Sequence, residues 1–223
     1  MSDLELMELH VNVLFRHNSE NRMTVVNEPP FNAAPRIYIG GTQEGCVVRY
    51  SNMLAESTVE ELEGIMDDNP GAHLGEIIRI LGSDQEINHF WMGPAYSFPD
   101  VRNRPTQSIR ITDANKELLH GYFSDFLDDL ASVQPCFAVV RDGTAVALCC
   151  SARQTFFAAE ASLETAQPFW GKAYAEDVTN AWAAEVQNQG RTALYSTSWD
   201  NFASQSVARK LHLVRYATDI HIS

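Results

Sequence analysis

The sequence of 223 residues is poor in cysteine and in positive charge, and it lacks any long apolar run. Its four cysteines, Cys46, Cys136, Cys149 and Cys150, include no CxxC pair, and its seven histidines are scattered, so no metal site is expected. Neighbours in one strand point to opposite faces, so Cys149 and Cys150 are not placed to bridge each other. This usage fits a reducing compartment, and we expect a cytoplasmic protein. No window approaches the roughly 18 uninterrupted apolar residues of a membrane span, so no membrane partner is expected. The opening MSDLELMELHV has an early acid and no basic segment ahead of an apolar run, unlike a signal peptide. Against 29 Asp and Glu stand 16 Lys and Arg, a net charge of −13. Binding a phosphate backbone needs a basic face, which argues against nucleic acid. Acidity serves solubility, and it also favours a cationic or amine substrate.

The first third reads as β-rich. HVNVLF (10–15) alternates, and MTVV, RIYIGG and CVVRY are further strand candidates between polar turns. Ser57 and Glu60 have the spacing of a capping box opening a short helix that NPG at 69–71 would end, and GEIIRILG reads as another short helix. The stretch 92–108, rich in Pro and polar residues, reads as a connection. This divides the chain into an N-terminal α+β region, 1–108, and a C-terminal region, 109–223.

From Ile109 the periodicity predicts a helix over 113–133, with Leu118, Tyr122, Phe126 and Leu130 recurring every four residues. CFAVV, an RDGT turn and AVALCCSA form a hairpin, and RQTFFAAEASLET supplies a third strand. PFWGKAYAEDVTNAW (168–182) then passes through a one-glycine turn into a helix with Tyr174, Val178, Ala181, Trp182 and Val186 on one face. TALYSTS, a helix carrying Ala203, Val207, Ala208 and Leu211, and LVRYATDIHI complete a mixed α+β sheet. A turn entering a helix aims unpaired N–H groups and a partial positive charge at one point, where a pyrophosphate can sit. Gly171 permits close approach, Ala173 and Ala175 are small, and Lys172 adds charge.

The C-terminal half resembles the GCN5-related N-acetyltransferase (GNAT) superfamily. The resemblance rests on Ser151-Ala152-Arg153, Ala159-Glu160-Ala161, Glu164-Thr165, Gly171 to Ala175, and LYSTSWDNFASQSVARKL from 194 to 211. LFRHN, NEPP, APRIYIGGTQEG and VVRY extend it into the N-terminal region. It implies a GNAT fold, with a mixed central sheet flanked by helices, and acetyl-CoA as co-substrate. Aligned on that family's R/Q-x-x-G-x-G/A turn, this chain has Trp170 for the usual Arg and Ala173 for a usual Gly. Cofactor contacts would come from Leu163, Thr165, Trp170, Gly171, Lys172, Ala173, Tyr174 and Ala175, with Asn201 and Ser204 reaching the pantetheine arm.

The resemblance implies transfer of an acetyl or other acyl group to a primary amine, small-molecule or peptide, by direct attack in a ternary complex. Glu160 is the first choice of base, with Glu164 four residues on along the same strand face. The position that holds a Tyr acid in the family is Ala208, so Tyr174, Tyr195 or water would protonate the thiolate. Ser198 and Trp199 are candidate acceptor-pocket residues, and His212 stands where a Gly is usual. Cys149 and Cys150 read as buried strand residues. A catalytically inactive GNAT-like binding or scaffold protein, its cofactor turn decayed at Trp170 and Ala173, is the alternative. The terminal strand leaves a homodimer open.

Overall fold

The structure, a computed structural model, describes residues 1–66 and 70–223. Its elements run α1 (Asp3–Leu14), β1 (Phe15–His17), β2 (Met23–Val26), β3 (Ile37–Gly41), β4 (Cys46–Tyr50), α2 (Glu56–Glu63), α3 (Leu74–Asp84), β5 (Phe90–Ser97), β6 (Ile109–Ile111), β7 (Cys136–Arg141), β8 (Thr144–Gln154), β9 (Ala158–Thr165), α4 (Tyr174–Asn188), β10 (Thr192–Ser196), α5 (Phe202–Lys210) and β11 (Val214–Ile222). The chain is α+β with a mixed sheet. It forms two compact units, one of Met1–Ala95, Ser196–Asn201 and Arg215–Ser223, the other of Tyr96–Tyr195 and Phe202–Val214.

In the first unit β3 pairs antiparallel with both β4 and β11. Ile37, Ile39, Ile220 and Ile222 from these strands pack with Val59 and Leu62 of α2 and Ile77, Ile80 and Leu81 of α3. Each such side chain contributes about 2 kcal/mol by leaving water. HVNVLF does not form a strand: α1 runs through Leu14 and only Phe15 begins one. Ser2 and Glu5 close a reciprocal capping box, and Leu6, Met7, His10, Val11 and Leu14 are buried at helical spacing. The helical period begins at Asp3, ahead of the alternating run.

The cap expected at Ser57 does not form either. Ala55 precedes α2 with no side-chain hydrogen bond, and the helix ends at Gly64, whose N–H donates to Glu60 O. The NPG turn begins at Asn69, outside the described residues. Within 92–108 the expected connection is in part strand. In β5, Gly93 lies so close to the backbone at Thr197 that a Cβ there would sit 1.8 Å from the Thr197 carbonyl oxygen. The Thr197 N–H donates to Pro94 O and the Trp199 N–H to Met92 O. Pro94 keeps its acceptor, so the strand tolerates it.

In the second unit β6, β7, β8 and β9 are successive antiparallel neighbours, and β10 adds to β9 in parallel. The β7–β8 hairpin turns through Asp142 (φ 50°) and Gly143 (φ 75°), the double left-handed geometry that an Asp-Gly pair favours. The helix expected over 113–133 is two short 3-10 turns, Lys116–Leu119 and Ser124–Phe126. Leu119, Phe123, Leu130 and Val133 are buried against β7 and β8, while Tyr122 of the expected stripe is half exposed. Gly121 lies against Thr144, where a Cβ would come within 2.4 Å of Cγ2. Packing of single turns onto the strands overrides a weak helical period.

On the other face, α4 buries Val178, Trp182, Ala183 and Val186 against Val139, Ala147, Cys149 and Ala159. Gly190, at φ 77°, follows its end. Its N-cap, Ala173, has φ 60° and ψ 17°, and His212 after α5 has φ 57°. Both occupy backbone that glycine adopts freely and that costs an L-residue about 1 kcal/mol.

Two results follow for stability. Gly93→Ala should lower it by about 3 kcal/mol, because the backbone at Thr197 must move. A thermal midpoint equal to wild type would contradict the close approach. Ala173→Gly should raise stability by about 1 kcal/mol, read as a higher urea midpoint at unchanged slope.

Candidate functional site

β9 holds the centre of the second unit and is paired unequally. Against β8 its register runs from Ala159 to Thr165, whereas against β10 it covers only Ala158↔Thr192, Ala159↔Ala193 and Glu160↔Leu194. Beyond Glu160 the two strands part. The Thr192 N–H donates to Phe157 O, and the Ala166 N–H donates to Val146 O. Backbone groups of odd residues therefore face the β10 side and those of even residues face β8. The backbone groups of Leu163 and Thr165, with the Ala161 carbonyl, line the edge left open, and it leads toward the N-terminus of α4. Tyr195, Ala208 and Tyr96 pack with Ala161 and Leu163 beside this opening.

Side chains of Ala159, Ala161 and Leu163 share the α4 face. Glu160 and Glu164 therefore lie together on the opposite face, as their spacing implied. A bulge between Ser151 and Arg153 inserts one extra residue in β8, which puts Arg153 across from Glu160. Arg153 Nη1 then donates to Glu160 Oε2 at 3.0 Å, and the Glu160 side chain is 4% exposed. This ion pair has no sequence signal, since the register depends on the bulge. Glu164 is different: the residue is exposed, yet partial desolvation of its carboxyl, then the charge of Asp125, raises it above the usual range.

The turn from Gln167 to Ala173 is left-handed at both Gly171 (φ 74°) and Ala173. Open space surrounds the Gly171 Cβ position. Lys172 Nζ lies 4.7 Å from the centre of the Phe169 ring. The Trp170 ring is 65% exposed, and its indole N–H donates to Thr165 O at 2.7 Å, taking the last carbonyl of the open edge. The first turn of α4 is acidic. Asp177 accepts from Thr106, from the Gln107 N–H and from Ser108, while Glu176 pairs with Lys210 at 2.6 Å. These carboxylates already complement the helix dipole.

Arg141, not singled out in the sequence, brings a cation to the same end of α4. Its Nε donates to the Tyr174 hydroxyl at 3.0 Å, and its guanidinium lies 4.7 Å from that ring centre. Ala175 O accepts from the Thr179 hydroxyl at 2.7 Å.

The structure brings Tyr195 and Ser204 together: their hydroxyls share a short hydrogen bond. Burial pushes the Tyr195 phenol up to about 12, with the Ser204 bond acting the other way. Ala208, at the position of the missing acid, packs in the same cluster as Tyr195. Ser198, Trp199 and Asn201 belong to the first unit. There the Ser198 hydroxyl bonds Asp200, the Arg215 guanidinium lies 5.0 Å from the Trp199 ring centre, and the Asn201 N–H donates to Ser198 O. Cys149 and Cys150 are buried, and both thiols are pushed well above their ordinary range. Burial is the main cause for Cys149, and the Cys136 hydrogen bond for Cys150. Neither is activated as a nucleophile. Among the described residues no group of three or more His, Cys, Asp or Glu is placed to hold a metal, and no helix is long and apolar enough to cross a membrane.

No protein-family model matches the chain, and no curated protein matches it. Solved structures do. A GNAT-family acetyltransferase from Colwellia psychrerythraea matches over 86% of this chain and 81% of its own, with a TM-score of 0.52 and 13% identity. A Drosophila protein matches over 99% and 87%, with a TM-score of 0.52 and 9% identity. A GCN5-related N-acetyltransferase from Kribbella flavida matches over 100% and 95%, with a TM-score of 0.49 and 13% identity. At such identities the likeness is one of fold. With the parting of β9 and β10 beside the N-terminus of α4, it leads to one conclusion: this chain has the fold of the GCN5-related N-acetyltransferases.

Proposed function

We propose that the protein transfers an acetyl or other acyl group from its CoA thioester to a primary amine, by direct attack in a ternary complex, within residues 109–223. One observation carries this reading: β9 keeps its β8 partner but loses β10 after Glu160, leaving the backbone of Leu163 and Thr165 toward an open edge that ends at α4. An extended pantetheine can pair with that edge as a strand would. The pyrophosphate would then meet the amides of Gly171 to Ala175, with Lys172 and Arg141 supplying charge.

Amine attack needs a proton acceptor. Glu164 suits the task better than Glu160, because its carboxyl is raised above the usual range and, among the described residues, it is not held in an ion pair. Glu160, tied to Arg153, fixes the bulge and acts as a positioning residue. Tyr195 can steady a departing thiolate by hydrogen bonding. Full proton transfer from a phenol at about 12 to a thiolate of ordinary basicity is uphill by roughly 5 kcal/mol, so the thiolate instead takes up the proton that the amine loses, returned by Glu164 or relayed through solvent.

A second reading, a GNAT-like binding protein that does not catalyse, is favoured by the same turn. Trp170 already occupies Thr165 O, Ala173 replaces a glycine, and Glu176 and Asp177 stand where phosphate charge would sit.

Isothermal titration with acetyl-CoA separates the two. The enzyme reading expects a micromolar dissociation constant, about −8 kcal/mol. With a reactive amine found by screening, Glu164→Gln should lower kcat/KM by about 100-fold or more at unchanged cofactor affinity. It should also remove a rising limb of the pH profile that lies above the ordinary carboxylate range, since the base works only once deprotonated. No heat at millimolar acetyl-CoA would leave the binding-protein reading standing.

A further inference from the structure

The open edge of β9 is already taken at its last carbonyl, by a side chain of the turn into α4. The Trp170 indole N–H donates to Thr165 O at 2.7 Å, and Thr165 O faces away from β8. The Leu163 N–H and carbonyl and the Thr165 N–H belong to the same edge. An indole N–H at Thr165 O stands where the amide of an extended ligand would otherwise donate.

Little else holds the ring. It is 65% exposed, and among the described residues the side chain makes no second hydrogen bond and no aromatic or cation contact. Trp182, by contrast, is fully buried in the α4 core and donates to the Ser151 hydroxyl. Thr165 supplies an independent observation: its Oγ1 is buried and has no hydrogen-bond partner among the described residues. A buried hydroxyl left unpaired is costly, and a bound ligand with a polar group in reach would relieve it. The edge therefore ends at a residue with one group held by the indole and another unmet.

We propose that Trp170 is a latch on the cofactor edge. In the free protein its indole N–H fills the place of a ligand amide at Thr165 O, and the pantetheine arm of a CoA thioester gains that contact only after the indole leaves. The inference rests on the acyl-transfer reading and makes Trp170 a residue that restrains cofactor affinity. A neutral hydrogen bond is worth little net, so the restraint amounts to about threefold to tenfold in affinity.

The test is isothermal titration of the full chain, wild type and Trp170→Phe, with CoA and with adenosine 3′,5′-bisphosphate, which lacks the pantetheine arm. Phenylalanine keeps a ring and removes the N–H, and because the Trp170 ring is exposed the thermal midpoint should not change. We expect CoA to bind the variant about threefold to tenfold more tightly and the bisphosphate to bind both proteins alike. In proton–nitrogen spectra of the wild type, the Trp170 indole signal, identified by its absence from the variant, should move as CoA saturates. A gain for CoA that is absent, reversed or matched by the bisphosphate, or an indole signal that CoA does not move, would overturn the latch and leave the acyl-transfer reading standing. CoA binding to neither protein would overturn that reading and the latch with it.

Discussion

The candidate site depends on one asymmetry in β9, which is paired along nearly its whole length to β8 and only from Ala158 to Glu160 to β10. A strand inside a sheet normally satisfies both edges. Here one edge runs on from Ala161 to Thr165 beside the opening, while the other stays anchored by a ladder whose β8 and β7 residues are buried on both faces. Rigidity on one side and open hydrogen-bonding capacity on the other make a platform for an extended ligand. The bulge in β8 belongs to the same design, because it turns Arg153 onto the face of Glu160 and neutralises a carboxylate that burial would otherwise penalise.

The turn into α4 shows opposing tendencies at one place. Its geometry gathers backbone N–H groups, and Lys172 and Arg141 add positive charge nearby. Glu176 and Asp177 add negative charge to the same turn, and the Trp170 indole takes a carbonyl from the open edge. Helix-terminus attraction is worth about 1 kcal/mol and falls off within a turn, so neighbouring side chains decide the balance. Lys210 already engages Glu176, and Thr106, Gln107 and Ser108 already engage Asp177.

Much of this was legible in the sequence. The Asp142-Gly143 hairpin, the strands at Met23, Ile37 and Cys46, and the helix from Tyr174 with Trp182 inward all carry strong local signals, and local and tertiary preferences agree there. The apolar period over 113–133 misled, because single turns buried against β7 and β8 satisfy Leu119 and Phe123 better than one helix would. The alternating run at 10–15 suggests a strand because the cap at Ser2 and the helical period of α1 begin before it. In the candidate site, the carboxylate pair and the glycine turn were visible as residues. The Arg153–Glu160 pair, the Arg141–Tyr174 contact and the end of β9–β10 pairing depend on register, which one sequence does not encode locally.

The central claim concerns the odd-numbered amides of β9, and residue-resolved hydrogen exchange measures them directly. In the free protein the Leu163 and Thr165 amides should exchange fast while the Glu164 amide, which faces β8, stays protected. Millimolar acetyl-CoA should slow Leu163 and Thr165 by at least tenfold and leave Glu164 unchanged. Protection of Leu163 and Thr165 equal to that of Glu164 in the free protein, or no change on adding acetyl-CoA, would contradict the account.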